Sequence, residues 1–245
     1  MKKTILASGL VLAAPFAAAD VLGVYVGAGQ WQSDYSGLLG DSDNSIYVDE
    51  LGLKDSDNNF FYIAFEHPIP ILPNARIQHT DLSSRQSAMI TQSFTLDGET
   101  FVVGDDVATD VDLTHTDYTL YYELLDNWVN LDLGVTVRQF DGYVQAEGNL
   151  NSQYVDLDEA IPMIYGKAQF DLPLTGLYVG VQANIISYDD NDLSDMSANI
   201  GYRFIDSVLD LGIELGYRQM SLDINEDVTA DVDIKGPYAA LTLHF

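Results

Sequence analysis

The chain has 245 residues, with 38 Asp and Glu against 10 Lys and Arg, a formal charge of −28 and no cysteine. Such an acidic surface repels phosphate, so nucleic acid is not an expected partner, and the missing thiols exclude a disulfide framework, a thiolate metal site and a cysteine nucleophile. Mean hydropathy near zero (+0.01) beside 20% charged residues means that apolar and charged groups are finely interleaved, as alternation along β-strands requires.

The first residues, Met1-Lys2-Lys3, lead into an apolar run from Ile5 to Phe16 and then Ala17-Ala18-Ala19 before Asp20. A basic start, a short apolar stretch and small residues predict a secretory signal peptide over residues 1–19, cleaved after Ala19. The mature chain, residues 20–245, would carry 8 basic against 38 acidic residues, a charge of −30. No later apolar run approaches the roughly 18 to 20 residues of a transmembrane helix, whereas a spanning strand needs only about 9 to 11.

From Val21 to Trp31, Leu22, Val24, Val26 and Ala28 form one face and Gly23, Tyr25, Gly27, Gly29 and Trp31 the other. Residues 32–57 read as a polar loop. A second strand over residues 59–67 puts Phe61, Ile63 and Phe65 on one face and Tyr62, Ala64 and Glu66 on the other, and the prolines of His67-Pro68-Ile69-Pro70-Ile71-Leu72-Pro73 then turn the chain. Between the next two strands lies Asp97-Gly98, a strong hairpin signal. Taking it as the turn makes opposite residues sum to 195, so Ile77 meets Tyr118 and Ala75 meets Leu120 on the apolar face, and Arg76 meets Thr119 on the polar one. This hairpin, residues 75–125, is longer than a bilayer requires, so its tip should project into water.

Asp126-Asn127, taken as the following turn, makes residues sum to 253, pairing Tyr122 with Leu131 and His115 with Arg138. Two independently chosen turns thus agree on the apolar face of residues 113–125. Residues 138–154 read as a strand end and loop. Tyr165, Lys167 and Gln169 alternate with Ile164, Gly166, Ala168 and Phe170, and a Leu-Pro-Leu-Thr-Gly turn leads to Leu177, Val179, Val181, Ala183 and Ile185. A hairpin about Asp206-Ser207, with a sum of 413, pairs Ile200 with Ile213 and sets Arg203 against Asp210, Asn199 against Glu214 and Asp195 against Arg218. Residues 223–233 read as a last acidic loop before Ala239, Leu241, Leu243 and Phe245.

The sum is an all-β protein: a ten-stranded antiparallel transmembrane β-barrel, a meander with long loops after odd strands on the extracellular side and short periplasmic turns after even ones. An open edge cannot stay unpaired in lipid, so the last strand must pair with the first. The signal peptide, the even set of amphipathic strands and the terminal Leu241, Leu243 and Phe245, an assembly signal, resemble Gram-negative outer-membrane barrel proteins. Leu124 to Gly142 resembles a functionally unassigned family of small outer-membrane barrels of marine gammaproteobacteria. That resemblance implies residence in the outer membrane among lipid and lipopolysaccharide, and barrel-assembly machinery as a partner during biogenesis; it carries no functional residues.

Arg76, Asp117, Asp132, Arg138, Lys167, Arg203, Asp210, Glu214 and Arg218 fall on the inward face. They would line a pore or, since ten strands make a narrow barrel, fill its lumen as paired charges; the second reading is favoured. Tyr118, Tyr122, Trp128, Phe170, Tyr202, Phe204 and Tyr217 face outward as interfacial girdles. His-Thr-Asp occurs at His79 to Asp81 and again at His115 to Asp117, but the register puts His79 outward and His115 inward, and Ser197 has no histidine beside it. An omptin-like rim protease therefore lacks an assembled site, and no catalytic residue, cofactor or dedicated metal site is expected. Acidic loops could hold divalent cations weakly, although Asp55-Ser56-Asp57-Asn58-Asn59 lacks the later residues of a calcium loop. The leading expectation is a non-enzymatic barrel acting in structure or surface interaction; a narrow channel is the alternative.

Overall fold

A computed structural model describes residues 22–204, 209–225 and 228–245; the expected signal peptide, the Asp206-Ser207 turn and the loop residues Glu226 and Asp227 lie outside them. In chain order the strands are β1 (Gly23–Asp41), β2 (Asn44–Tyr47), β3 (Ser56–Glu66), β4 (Asn74–Thr80), β5 (Ser83–Met89), β6 (Phe94–Leu96), β7 (Glu99–Phe101), β8 (Asp106–Asp112) and β9 (His115–Leu125). Then come β10 (Val129–Phe140), β11 (Gly142–Glu147), β12 (Ser152–Leu157), β13 (Ala160–Asp171), β14 (Leu177–Tyr188), β15 (Asn191–Arg203), β16 (Asp210–Asn225) and β17 (Thr229–His244). Ten of them, β1, β3, β4, β9, β10 and β13 to β17, form one antiparallel barrel. It closes where β1 pairs with β17, from Tyr25 opposite His244 to Gly40 opposite Thr229. Phe245 finishes the seam: its N–H and C=O bond the C=O and N–H of Val24, at 3.1 and 2.8 Å.

Alternation decides what faces out. Phe61, Ile63, Phe65, Leu133, Val135, Val181, Ile200, Leu215 and Leu241 are exposed around the exterior, a surface that lipid covers, while their neighbours in sequence line the lumen. Several inward positions are glycines set directly opposite tyrosines: Gly27 opposite Tyr62, Gly201 opposite Tyr178 and Gly216 opposite Tyr238. A Cβ on Gly201 would lie 2.0 Å from the Tyr178 ring, so the missing side chain is what lets the ring lie across the sheet.

The Asp97-Gly98 register holds without a slip through three successive ladders, with Ile77 opposite Tyr118, Ser83 opposite Asp112 and Phe94 opposite Phe101. Both turn residues have positive φ, 48° and 79°, as a type I′ turn requires. The other two expected registers are corrected by two residues. Between β9 and β10 most partners sum to 255, with an irregularity at Leu131/Asp132, so that Leu133 meets Tyr122. The cause is a wider turn: the Asn127 side chain accepts from the Val129 N–H, and Asn130 accepts from the Asn127 N–H. Between β15 and β16 partners sum to 415, so that Ile200 meets Leu215. A slip of two keeps every side chain on its face but changes its partner. Arg138 consequently stands opposite Asp117, not His115, and Arg203 opposite Gly212, not Asp210.

The larger correction lies above the barrel. Residues 32–57 are not a polar loop: β1 runs on to Asp41, and Tyr35, Leu39, Ile46, Val48, Leu51 and Leu53 are buried. Ser56 to Asn59 lie in β3, in register with residues 30–33 of β1. Residues 138–154 likewise contain β11 and the first half of β12. Strands β5, β8, β11 and β12 form a four-stranded sheet that continues barrel strands β4, β9, β10 and β13 upward. The hairpin β6–β7 packs its stacked Phe94 and Phe101 rings, 4.9 Å apart, into the same apolar core. Two acidic stretches expected as loops are largely strand: β14 and β15 are joined by Asp189-Asp190 alone, and across residues 223–233 β16 runs on to Asn225 and β17 begins at Thr229. Acidic composition masked the strands there, because Leu193, Met220, Leu222 and Ile234 keep the alternation going and are buried.

Candidate functional site: a closed lumen beneath an acidic cap

The outer half of the lumen is filled by a charge cluster. From β10, Arg138 donates through Nε to Asp117 Oδ1 (2.7 Å) and through Nη2 to Asp117 Oδ2 (2.8 Å) and Asp195 Oδ2 (2.6 Å). Arg218 on β16 donates to both oxygens of Asp195, at 2.8 and 2.6 Å, and to Thr80 Oγ1 on β4. Two aspartates and two arginines cancel, which is how charge survives out of water. His115 Nδ1 lies 2.8 Å from the Leu113 carbonyl and must donate to it, leaving Nε2 to accept from Arg218 at 3.4 Å. Trp31 closes the cluster from β1, its ring 4.6 Å from the Arg218 guanidinium carbon. Strands β9 and β16 are five apart in a ring of ten, so the cluster ties opposite walls together. Arg138, Asp117, Asp195 and Arg218 are 0 to 6% exposed.

Below the cluster the lumen opens into a cavity of about 160 Å³ at the end opposite the cap. Arg76 lies over the Tyr62 ring at 3.8 Å, Lys167 is 3.7 Å from Asp132, and Arg203 is 3.0 Å from Asp171. Glu214 accepts from the Tyr178 and Tyr238 hydroxyls at 3.2 and 2.6 Å. Asp210 lines the same cavity, 3.7 Å from His244. The structure thus places all nine inward charges in the lumen but divides them, three in the cluster and six along the cavity. Asp195, outside the nine charges expected to face inward, is a full member of the cluster; its parity with Asn199 and Arg203 along β15 is the signal that places it in the lumen.

The seven outward aromatics, Tyr118, Tyr122, Trp128, Phe170, Tyr202, Phe204 and Tyr217, are all exposed on the exterior. Trp128 packs on Phe170 and Tyr202 on Phe204 in edge-to-face pairs near the strand ends opposite the cap. Tyr118 and Tyr217 sit higher on their strands. The two His-Thr-Asp repeats do not converge: His79 faces outward, bonded to Asp81 and Thr116, while His115 is buried in the cluster. His115, Asp117 and Asp195 bring ligand atoms within 4.8 Å of one another, a spacing a cation could use. Arg138 and Arg218 already hold those carboxylate oxygens, so a metal would have to displace two guanidinium groups.

Above the barrel, residues 34–57, 81–112 and 141–159 carry 19 acidic and 2 basic residues, a formal −17. Asp41 spends its charge structurally: its carboxylate accepts from the Asp97 and Gly98 N–H groups at 2.8 and 3.1 Å and clamps the β6–β7 tip. On the outer face of the four-stranded sheet the Tyr143 and Tyr154 rings stack at 5.2 Å. Partial desolvation, and then the nearby Asp110 carboxylate, hold the Tyr143 phenol above its ordinary value.

The sequence matches no protein-family model and no curated protein. Among solved structures it is similar to the outer-membrane protease OmpT from Escherichia coli, at 12% identity over 91% of this chain and 96% of that one, with a TM-score of 0.43. It is also similar to a FadL homologue from Pseudomonas aeruginosa (8% identity, 92% and 90% covered, TM-score 0.38) and to the monoaromatic hydrocarbon channel CymD (6%, 92% and 88%, 0.36). The chain's own ladders make it a closed ten-stranded antiparallel β-barrel. No residue role passes to it from these proteins.

Proposed function

We propose that the protein is a non-conducting, non-enzymatic outer-membrane barrel whose work is to display the acidic cap at the cell surface for interaction. The observation that carries this reading is the closed outer lumen. A barrel whose outer lumen is filled by a neutral cluster of two arginines and two aspartates, paired with one another, is built as a pedestal. Strand residues that elsewhere would make mobile loops are spent on a second core above it. Lipid and lipopolysaccharide surround the pedestal, divalent cations screen the cap's carboxylates, and the terminal Leu241, Leu243 and Phe245 serve assembly at the closing seam. A narrow channel would require the cluster to part.

The absence of native cysteine allows a clean test. Leu150→Cys, at a cap tip position that is 94% exposed, should react with an impermeant maleimide on intact cells. Gln182→Cys, in the cavity below the cluster, should react only after the outer membrane is permeabilised. Labelling of both from outside would show an open lumen; labelling of neither would show that the cap is not at the surface.

A further inference from the structure

The four-stranded cap sheet has two edges, and they are treated differently. At β5, the Ser83 carbonyl accepts from the Ser56 hydroxyl at 2.7 Å and the Ser83 N–H donates to Asn58 at 3.1 Å, so the start of β3 covers the Ser83 end of that edge. At β12 the sheet stops. Gly148 donates to Asn151 and Phe140 to Glu159, which sets the phase of the β11–β12 ladder: Gln153, Val155 and Leu157 bond inward to β11. Ser152, Tyr154 and Asp156 therefore turn their N–H and C=O groups away from the sheet, and among the described residues nothing is bonded to them. This edge has no proline, lysine or bulge to blunt it, the usual devices against strand addition.

We propose that β12 is a docking edge for an extended, cationic polypeptide segment, which adds as a fifth strand beside Ser152–Leu157; this rests on the reading of the cap as an interaction surface. Charge selects the occupant. Asp156, Asp158, Glu159 and Glu147 flank the edge in a cap of formal −17. A second copy of this chain would bring those carboxylates within one strand spacing, about 4.8 Å, well inside the screening length of about 8 Å at physiological salt. A basic strand instead meets Asp156 within β12 and Asp158 and Glu159 just past its end. Main-chain bonds to Ser152, Tyr154 and Asp156 supply affinity without sequence demands, and lysine or arginine side chains reaching the stacked Tyr143 and Tyr154 rings add cation–π contact.

The test uses the full barrel in detergent micelles and three fluorescent peptides: an alternating Lys-Val heptamer, the same heptamer N-methylated at the alternate amides that would face β12, and a Glu-Val heptamer. The Lys-Val peptide should bind, with affinity at least tenfold weaker for the methylated form and no binding of the Glu-Val form. Tyr154→Pro, which removes an outward N–H and spares the bonds to β11, should weaken the Lys-Val peptide similarly while boiled and unboiled gel mobility stay normal. Should that variant misfold, the methylated peptide still decides on the wild-type protein. Equal binding of the methylated peptide would reduce the effect to charge adsorption and overturn strand addition, as would no binding at all or self-association through β12 in sedimentation. Any of these leaves the cysteine labelling pattern untouched, so failure of this inference is separable from failure of the pedestal reading.

Discussion

Replacing Arg138 by alanine is the most informative single change. The guanidinium gives three bonds of 2.6 to 2.8 Å to Asp117 and Asp195 and a fourth contact to Met220 Sδ at 3.3 Å. Without it Asp195 keeps Arg218, but Asp117 stays buried with no cation bonded to it. Breaking one partner out of a buried pair costs about 3 to 5 kcal/mol, because the remaining charge is uncompensated. The check is reversible urea unfolding in lipid vesicles followed by tryptophan fluorescence, since Trp31 packs on the same cluster. The variant should lose about 3 to 5 kcal/mol, whereas Arg138→Met combined with Asp117→Asn should recover part of that loss, giving a coupling of roughly 1 to 3 kcal/mol. If Arg138→Ala stays within about 0.5 kcal/mol of wild type, or the double change is additive, the cluster does not brace the lumen.

Three further outcomes follow from the same geometry. Asp41→Ala removes the acceptor of two cap N–H groups, each worth roughly 1.5 to 3 kcal/mol with a charged partner; limited proteolysis should cut near Asp97-Gly98 while the barrel band survives. Gly201→Ala should push Tyr178 off the sheet and away from Glu214, costing about 1 to 3 kcal/mol by overpacking, measured by the same unfolding assay. Asp223 lies directly opposite both Asp192 and Asp231, and like charges so placed repel, so raising salt from about 0.01 to 1 M should slow hydrogen exchange at these strand ends.

Side-chain period made the barrel legible in the sequence: an inward–outward alternation of two survives any slip of two, so faces were readable even where partners were not. Asp97-Gly98 specified its ladder fully because a type I′ turn admits one register. Asp126-Asn127 did not, since Asn127 and Asn130 could bond the backbone and widen the turn. The cap was hidden for a different reason. Its strands are short and loaded with Asp, Ser and Asn, and its core residues, such as Ile46, Leu51 and Ile90, come from segments distant in the chain that only the folded hairpins bring together. The charge cluster was half visible: Arg138, Asp117 and Arg218 faced inward by count, but their convergence depends on strands on opposite sides of the barrel.

Single-barrel conductance in planar lipid bilayers tests the closed lumen most directly. Wild-type protein should show no discrete conductance steps at any ionic strength that keeps the barrel folded. Stable open-channel steps whose ion selectivity changes on Arg138→Ala or Arg203→Ala would contradict it and make the lumen a pathway.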